Sequence, residues 1–215
     1  MKQNLCMSIV TVALLCLAAG ARAAEEVPGP SVDLVSITDM KGWKIINQGT
    51  PQGRRSTTWI PEDEKPRDWS QMVNLLAIET GKPVAAEPVI QAFIRKFGTG
   101  CAKFEVVAHG LKQETDVLRQ SLGLPSSYPA YTALLHCEGS PPYPDPDVTL
   151  KKHEVTWIKV MSGQQNLFMI QKSWHGDEIG PDNVLVSDKT RQEWQGWMDK
   201  ILVSSRPINS QPPKN

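Results

Sequence analysis

The stretch Ser173-Trp174-His175-Gly176-Asp177-Glu178 places an imidazole and two carboxylates within four positions. Such side chains hold metals or move protons. Calcium sites draw their oxygens from acids at alternating positions in a loop. Here Asp177 and Glu178 are adjacent and Asp182 stands apart. Zinc asks for further histidine or cysteine ligands. His109, His136 and His153 are scattered along the chain, so only the fold can bring one close. The stretch follows an apolar run and precedes Gly180-Pro181, which favours a simpler reading. It is a strand exit, with polar residues where the chain meets water and Gly176 allowing the turn. On that reading no metal is held, no cofactor is expected, and alanine at His175, Asp177 and Glu178 leaves the fold nearly intact.

Two further groups of residues bear on chemistry. Cys101 and Cys137 are the cysteines left once the amino-terminal segment is set aside. In an oxidising compartment such a pair bonds to itself. The alternative is a thiol nucleophile with His109 or His136 as its base. The chain contains no G-x-S-x-G, H-E-x-x-H or S-x-x-K pattern with its partners, so no catalytic residue is assigned. Asp68, Glu105, Glu154 and Asp177 are candidate acids whose separations only the fold sets. Of the seven tryptophans, Trp194 and Trp197 lie on an apolar helix face. Trp69 and Trp174 stand beside polar residues at element boundaries, where an exposed indole stacks on a sugar or anchors a partner. Trp69, Trp174 and His175 are therefore the candidate binding residues.

The amino terminus says where these residues work. Lys2 precedes an almost unbroken apolar run from Leu5 to Ala19, and Ala21-Arg22-Ala23 supplies small residues for cleavage. This reads as a signal peptide over residues 1–23, with the mature chain starting near Ala24 and exported to the periplasm or secreted. Lipidation at Cys16 is the rival reading, but Leu15 is bulky where a small residue is wanted. No later segment is apolar for long enough to span a bilayer. Removing residues 1–23 takes away Lys2 and Arg22 and no acid. That leaves 192 residues with 21 basic against 23 acidic side chains, a net of −2. Such a balance argues against nucleic acid as a partner, and the length suits one domain with a full core.

The elements that must position these residues follow from periodicity. Residues 24–35 form a proline-bearing leader and 205–215 a polar tail, both expected to be mobile, around one domain at 36–204. Strands are predicted near 42–47 and 54–60. Residues 71–80 read as a strand or a short helix. Val89, Ile90, Phe93, Ile94 and Phe97 share one face of a helix over 87–98, with Gly98 as its stop. A strand at 102–110, a short helix at 115–122 and a strand at 131–137 follow. Four prolines in 139–147 mark a surface loop. EVTWIKVM and NLFMIQKSW flank a short glycine-bearing turn, which predicts a hairpin. A final helix starts near Thr190 with Thr190 and Glu193 as a capping box and an apolar face reaching Leu202; Gly196 weakens it or lets it approach a sheet. Strands in neighbouring pairs predict an α+β domain, a mostly antiparallel twisted sheet with two or three packed helices.

Residues 57–79, TTWIPEDEKPRDWSQMVNLLAIE, have a strand ending in proline, an acidic turn and a tryptophan opening the next segment. This rhythm resembles small exported proteins of the PsbP/DcrB-like kind. The resemblance implies a twisted antiparallel sheet packed by helices and a non-enzymatic accessory role, and it carries over no functional residue. The expected function is an exported binding or accessory protein that contacts a protein or another envelope component. A secreted hydrolase with a site assembled by folding is the alternative.

Overall fold

The computed structural model describes residues 31–37, 39–50, 53–112, 130–139, 153–177 and 187–207. They form β1 (Ser31–Ser36), β2 (Trp43–Gly49), β3 (Arg54–Pro61), β4 (Gln71–Glu79), α1 (Ala86–Gly98), β5 (Lys103–Lys112), β6 (Ala130–Glu138), β7 (His153–Ser162), β8 (Asn166–Gly176), α2 (Asp188–Asp199) and β9 (Leu202–Pro207). Seven strands make one sheet in the order β2-β3-β4-β8-β7-β6-β5, and every neighbouring pair is antiparallel. β1 and β9 pair separately as a two-stranded antiparallel ribbon. The chain is therefore an α+β domain dominated by an antiparallel sheet, with two helices among the described residues.

Side-chain alternation gives the sheet two different faces. On the first, Ala133, Leu135, Ile158, Val160 and Leu167 meet Ile90, Ile94 and Phe97 of α1. On the second, Val73, Ala77, Met161, Phe168 and Ile170 meet Trp197, Met198, Ile201 and Val203 from α2 and β9. The segment 71–80 is a strand because it is central: β4 pairs with β3 on one side and with β8 along its whole length on the other. Val73 and Ala77 then fall on the second face and into its core. Both outer strands carry a register irregularity, between Ile45 and Asn47 in β2 and between Val106 and Ala108 in β5. Such bulges discourage edge-to-edge pairing with another copy.

The Cys101–Cys137 bond is formed, with Cα atoms 5.3 Å apart and the two cysteines 36 positions apart in sequence. It fastens the end of α1 to β6. Closing a loop of this size contributes about 4 kcal/mol in the chain-entropy account. An oxidised pair is consistent with an exported, oxidising location, and it leaves neither sulfur as a nucleophile. Among the described residues no helix is long and apolar enough to cross a membrane.

Four expectations are corrected. Residues 31–35 of the expected leader and 205–207 of the expected tail lie in the β1–β9 ribbon, where Val35 pairs with Val203 and Asp33 with Ser205. The last helix starts earlier and stops sooner. Ser187 is its N-cap and accepts from the Thr190 N–H at 3.1 Å, so Thr190 is inside the first turn and does not cap it. The helix stops because the buried Lys159 ammonium donates to the carbonyls of Met198 at 3.1 Å and Ile201 at 2.8 Å. A cation on the carbonyls at a helix end is favoured twice, by hydrogen bonding and by the helix dipole. Finally, the α1 cap, Thr99, is right-handed, and Gly98 has no positive φ. The Phe104 ring lies 2.8 Å from where a Gly98 side chain would begin, so close packing explains that glycine. The helix expected at 115–122 and the proline loop lie outside the described residues.

Candidate functional site

The strand exit at Ser173–Glu178 is partly as expected. β8 runs to Gly176 and Asp177 is exposed, while Glu178 lies outside the described residues. His175 departs from the expectation. It is 3% exposed, and its ring packs against Trp69 at a 31° tilt with centroids 4.6 Å apart. Its backbone N–H donates to the Ser70 carbonyl at 2.8 Å, which pulls the loop before β4 over the end of β8. Glu64 holds that loop by accepting from the Ser70 N–H at 2.7 Å and from the Ser70 hydroxyl. Trp69 is also 3% exposed, so its indole is a lid over His175 and not an open platform. Trp174 is half-buried, beside Val155 and Leu134 on the opposite face. It also explains Gly176. The indole of Trp174 lies 2.3 Å from where a Gly176 side chain would begin, and that glycine has no positive φ. The structure thus joins Trp69 to His175 and separates both from Trp174.

Beyond the reach of α1, the first face carries a polar chain that sequence reasoning missed. Thr156 donates to Glu154 Oε1 at 2.9 Å, and the hydroxyls of Thr156 and Ser173 are 2.7 Å apart. Gln171 Nε2 donates to Ser173 Oγ at 2.9 Å. A carboxylate only accepts, so the direction is fixed: Gln171 to Ser173, Ser173 to Thr156, Thr156 to Glu154. Glu154, Thr156 and Ser173 are each 0% exposed. Each hydroxyl both accepts and donates, which polarises the chain toward the carboxylate. The available signal was the register of the β7–β8 hairpin, which sets Glu154 opposite His175 and Thr156 opposite Ser173.

On the second face a cavity of about 290 Å³ opens between β1 and the sheet at β2, β3 and β4. Val35, Leu75, Ala77 and Phe168 give it apolar walls, while Thr57 and the exposed Arg55 line its polar side. Asp33 also lines it. It accepts from the backbone N–H groups of Gln164, Gln165 and Asn166 at 3.0, 2.6 and 2.7 Å, and from the Ser205 hydroxyl. Burial alone pushes the Asp33 carboxyl up, but the Ser205 and backbone hydrogen bonds outweigh it and hold the group below its usual range. Gly163 is required there, because an added side chain would start 2.5 Å from the Asp33 carboxylate.

Two other clusters involve titratable groups. Lys172 Nζ sits 5.6, 5.2 and 4.8 Å from the ring centres of Trp43, Trp194 and Trp197. This packing docks α2 on the sheet; burial draws the lysine below its usual range, against the charge of Glu193. His136 Nε2 lies 3.4 Å from His153 Nδ1. Burial and the neighbouring His153 hold His136 below the usual imidazole range, against the charges of Glu105 and Glu138. Among the described residues no group of three or more His, Cys, Asp or Glu side chains is placed to hold a metal ion.

The fold and these sites define a disulfide-bonded, sheet-dominated α+β protein with an internal polar chain and an open groove among the described residues. No protein-family model matches the chain, and no curated protein matches it in sequence.

Proposed function

We propose that this is an exported, non-enzymatic binding or accessory protein that acts through contacts with a protein or another envelope component. The observation that carries this reading is the contrast between the two faces. The hydroxyls and carboxylate suited to hydrolysis, at Ser173, Thr156 and Glu154, are closed off at 0% exposure and occupied by one another. An accessible concavity on the second face has apolar walls and a guanidinium on its polar side. Such a groove takes an apolar side chain of an extended partner segment, with a carboxylate of that segment meeting Arg55. Arg55 is exposed at that end of β3, which favours an acidic partner. Export accords with the apolar leader and the oxidised cysteine pair.

The test uses the mature, oxidised protein with two groove substitutions, Arg55→Glu and Thr57→Trp. Wild-type protein is expected to capture an envelope component that each variant loses by at least about tenfold while melting normally. Equal capture by both variants removes the groove from the proposal. Turnover of ester, glycoside or peptide substrates that disappears in Ser173→Ala would replace the binding reading with the hydrolase.

A further inference from the structure

We propose that His136 and His153 form the nitrogen half of a site for a transition-metal dication such as Zn²⁺ or Cu²⁺. The two residues are 17 positions apart in sequence, and their ring nitrogens meet at 3.4 Å with centroids 5.6 Å apart. Nitrogens bound to one tetrahedral zinc at about 2.0–2.1 Å stand about 3.3–3.4 Å from each other. The pair already has the spacing of two adjacent ligands. It is held there by register. His136 on β6 lies opposite Val155, and His153 lies opposite Glu138, two positions further along the same face. A hydrogen bond between the rings requires one nitrogen to donate and the other to accept, so the free pair shares a single proton between two potential ligands.

The remaining ligands have an obvious source. Glu105 of β5 is directly opposite His136, and Glu138 is directly opposite His153. Directly opposed residues share a sheet face, with Cβ atoms about 4.5–5.5 Å apart, within the reach of a glutamate. Both carboxylates are exposed. In the described conformation they do not converge on the pair, so binding requires one of them to swing inward. Lys103 lies opposite Glu138 on the neighbouring strand. Two imidazoles and one or two carboxylates suit zinc and copper and disfavour calcium or magnesium, which take oxygen alone. The opening stretch is not part of this site: His175 sits on the other face, under Trp69.

The experiment takes mature, oxidised protein stripped with chelator and titrates it with Zn²⁺ or Cu²⁺ alone near neutral pH, followed by calorimetry. One equivalent is expected to bind, and His136→Ala and His153→Ala should each weaken it by more than the ~10–100-fold typical of losing an outer-shell partner. Glu105→Gln or Glu138→Gln should weaken it about tenfold, which identifies the carboxylate that moves. Absence of stoichiometric binding overturns the proposal. So does binding that survives both histidine substitutions, which means an adventitious ion only. Because those variants can lose fold, a second measurement uses the unaltered protein. Zinc must protect His136 and His153 from carbethoxylation, read by peptide mass; protection of other histidines alone also overturns it.

Discussion

At the scale of single residues, position in the pleat decides more than polarity does. His175 and Asp177 are both polar and both belong to the end of β8. His175 points to the face that Trp69 covers, while Asp177 has left the sheet and stands in water. The sequence places them two residues apart and cannot say that a loop folds back over one of them. Alanine at the two sites should therefore differ in effect. His175→Ala removes a buried ring and its tilted contact with Trp69, a loss of about 2 kcal/mol by analogy with other buried large-to-small changes. Asp177→Ala should stay within about 0.5 kcal/mol, as exposed substitutions do. Urea denaturation of both variants checks this, and equal midpoints for the two would mean that the Trp69–His175 contact adds nothing.

At the scale of elements, periodicity reported where strands and helices are and missed what ends them. The α1 face, the β7–β8 hairpin and the strands β2, β3, β5 and β6 follow from apolar spacing and turn residues close to the observed ranges. The carboxyl end of α2 does not, because Ile201 and Leu202 continue the helical period while Lys159 captures carbonyls from 39 and 42 positions away. Ile201 is fully buried just after the helix, so its apolar character served the core and was mistaken for helix. β1 was hidden in an apparent leader because its partner β9 is at the far end of the chain. Within α2 itself Gly196 is now explained by subtraction. It is exposed, and a Cβ there meets nothing within 4 Å, so no close approach to the sheet requires it. Gly196→Ala should stabilise the protein by about 1 kcal/mol through helix propensity alone. Thermal melting gives the answer, and a lower midpoint would reveal a contact that the folded geometry does not contain.

At the scale of the whole molecule, the chain is closed at two places, one over 36 positions and the other over more than 130. One is the disulfide. The other is Asp33, which joins the first strand of the ribbon to a hairpin turn more than 130 positions later and to Ser205 beyond it. Neither the turn donors nor the acid marks itself in sequence, since an aspartate in a polar amino-terminal stretch looks like solvent-facing leader. Its geometry carries a pH consequence. Burial raises the Asp33 carboxyl, but hydrogen bonds from Ser205 and the three backbone N–H groups reverse that and leave it below its ordinary value of 3.8. The folded state thus binds this proton less tightly than the unfolded chain. The stabilisation is fully present above the unfolded value, near pH 4, and is lost as pH falls through the lower folded value. Asp33→Asn keeps the size and removes the charge, leaving the turn N–H groups a weaker acceptor. It should cost about 2–3 kcal/mol near neutral pH, the scale of a hydrogen-bond set to a charged group. The variant should also lose less stability than wild type on going from pH 5 to pH 3, because this contribution is already gone. Chemical denaturation of both proteins across that range tests the claim. Curves that stay parallel into acid would show that Asp33 titrates alike in the folded and unfolded chain, and would overturn the claim that its hydrogen bonds favour the ionised form.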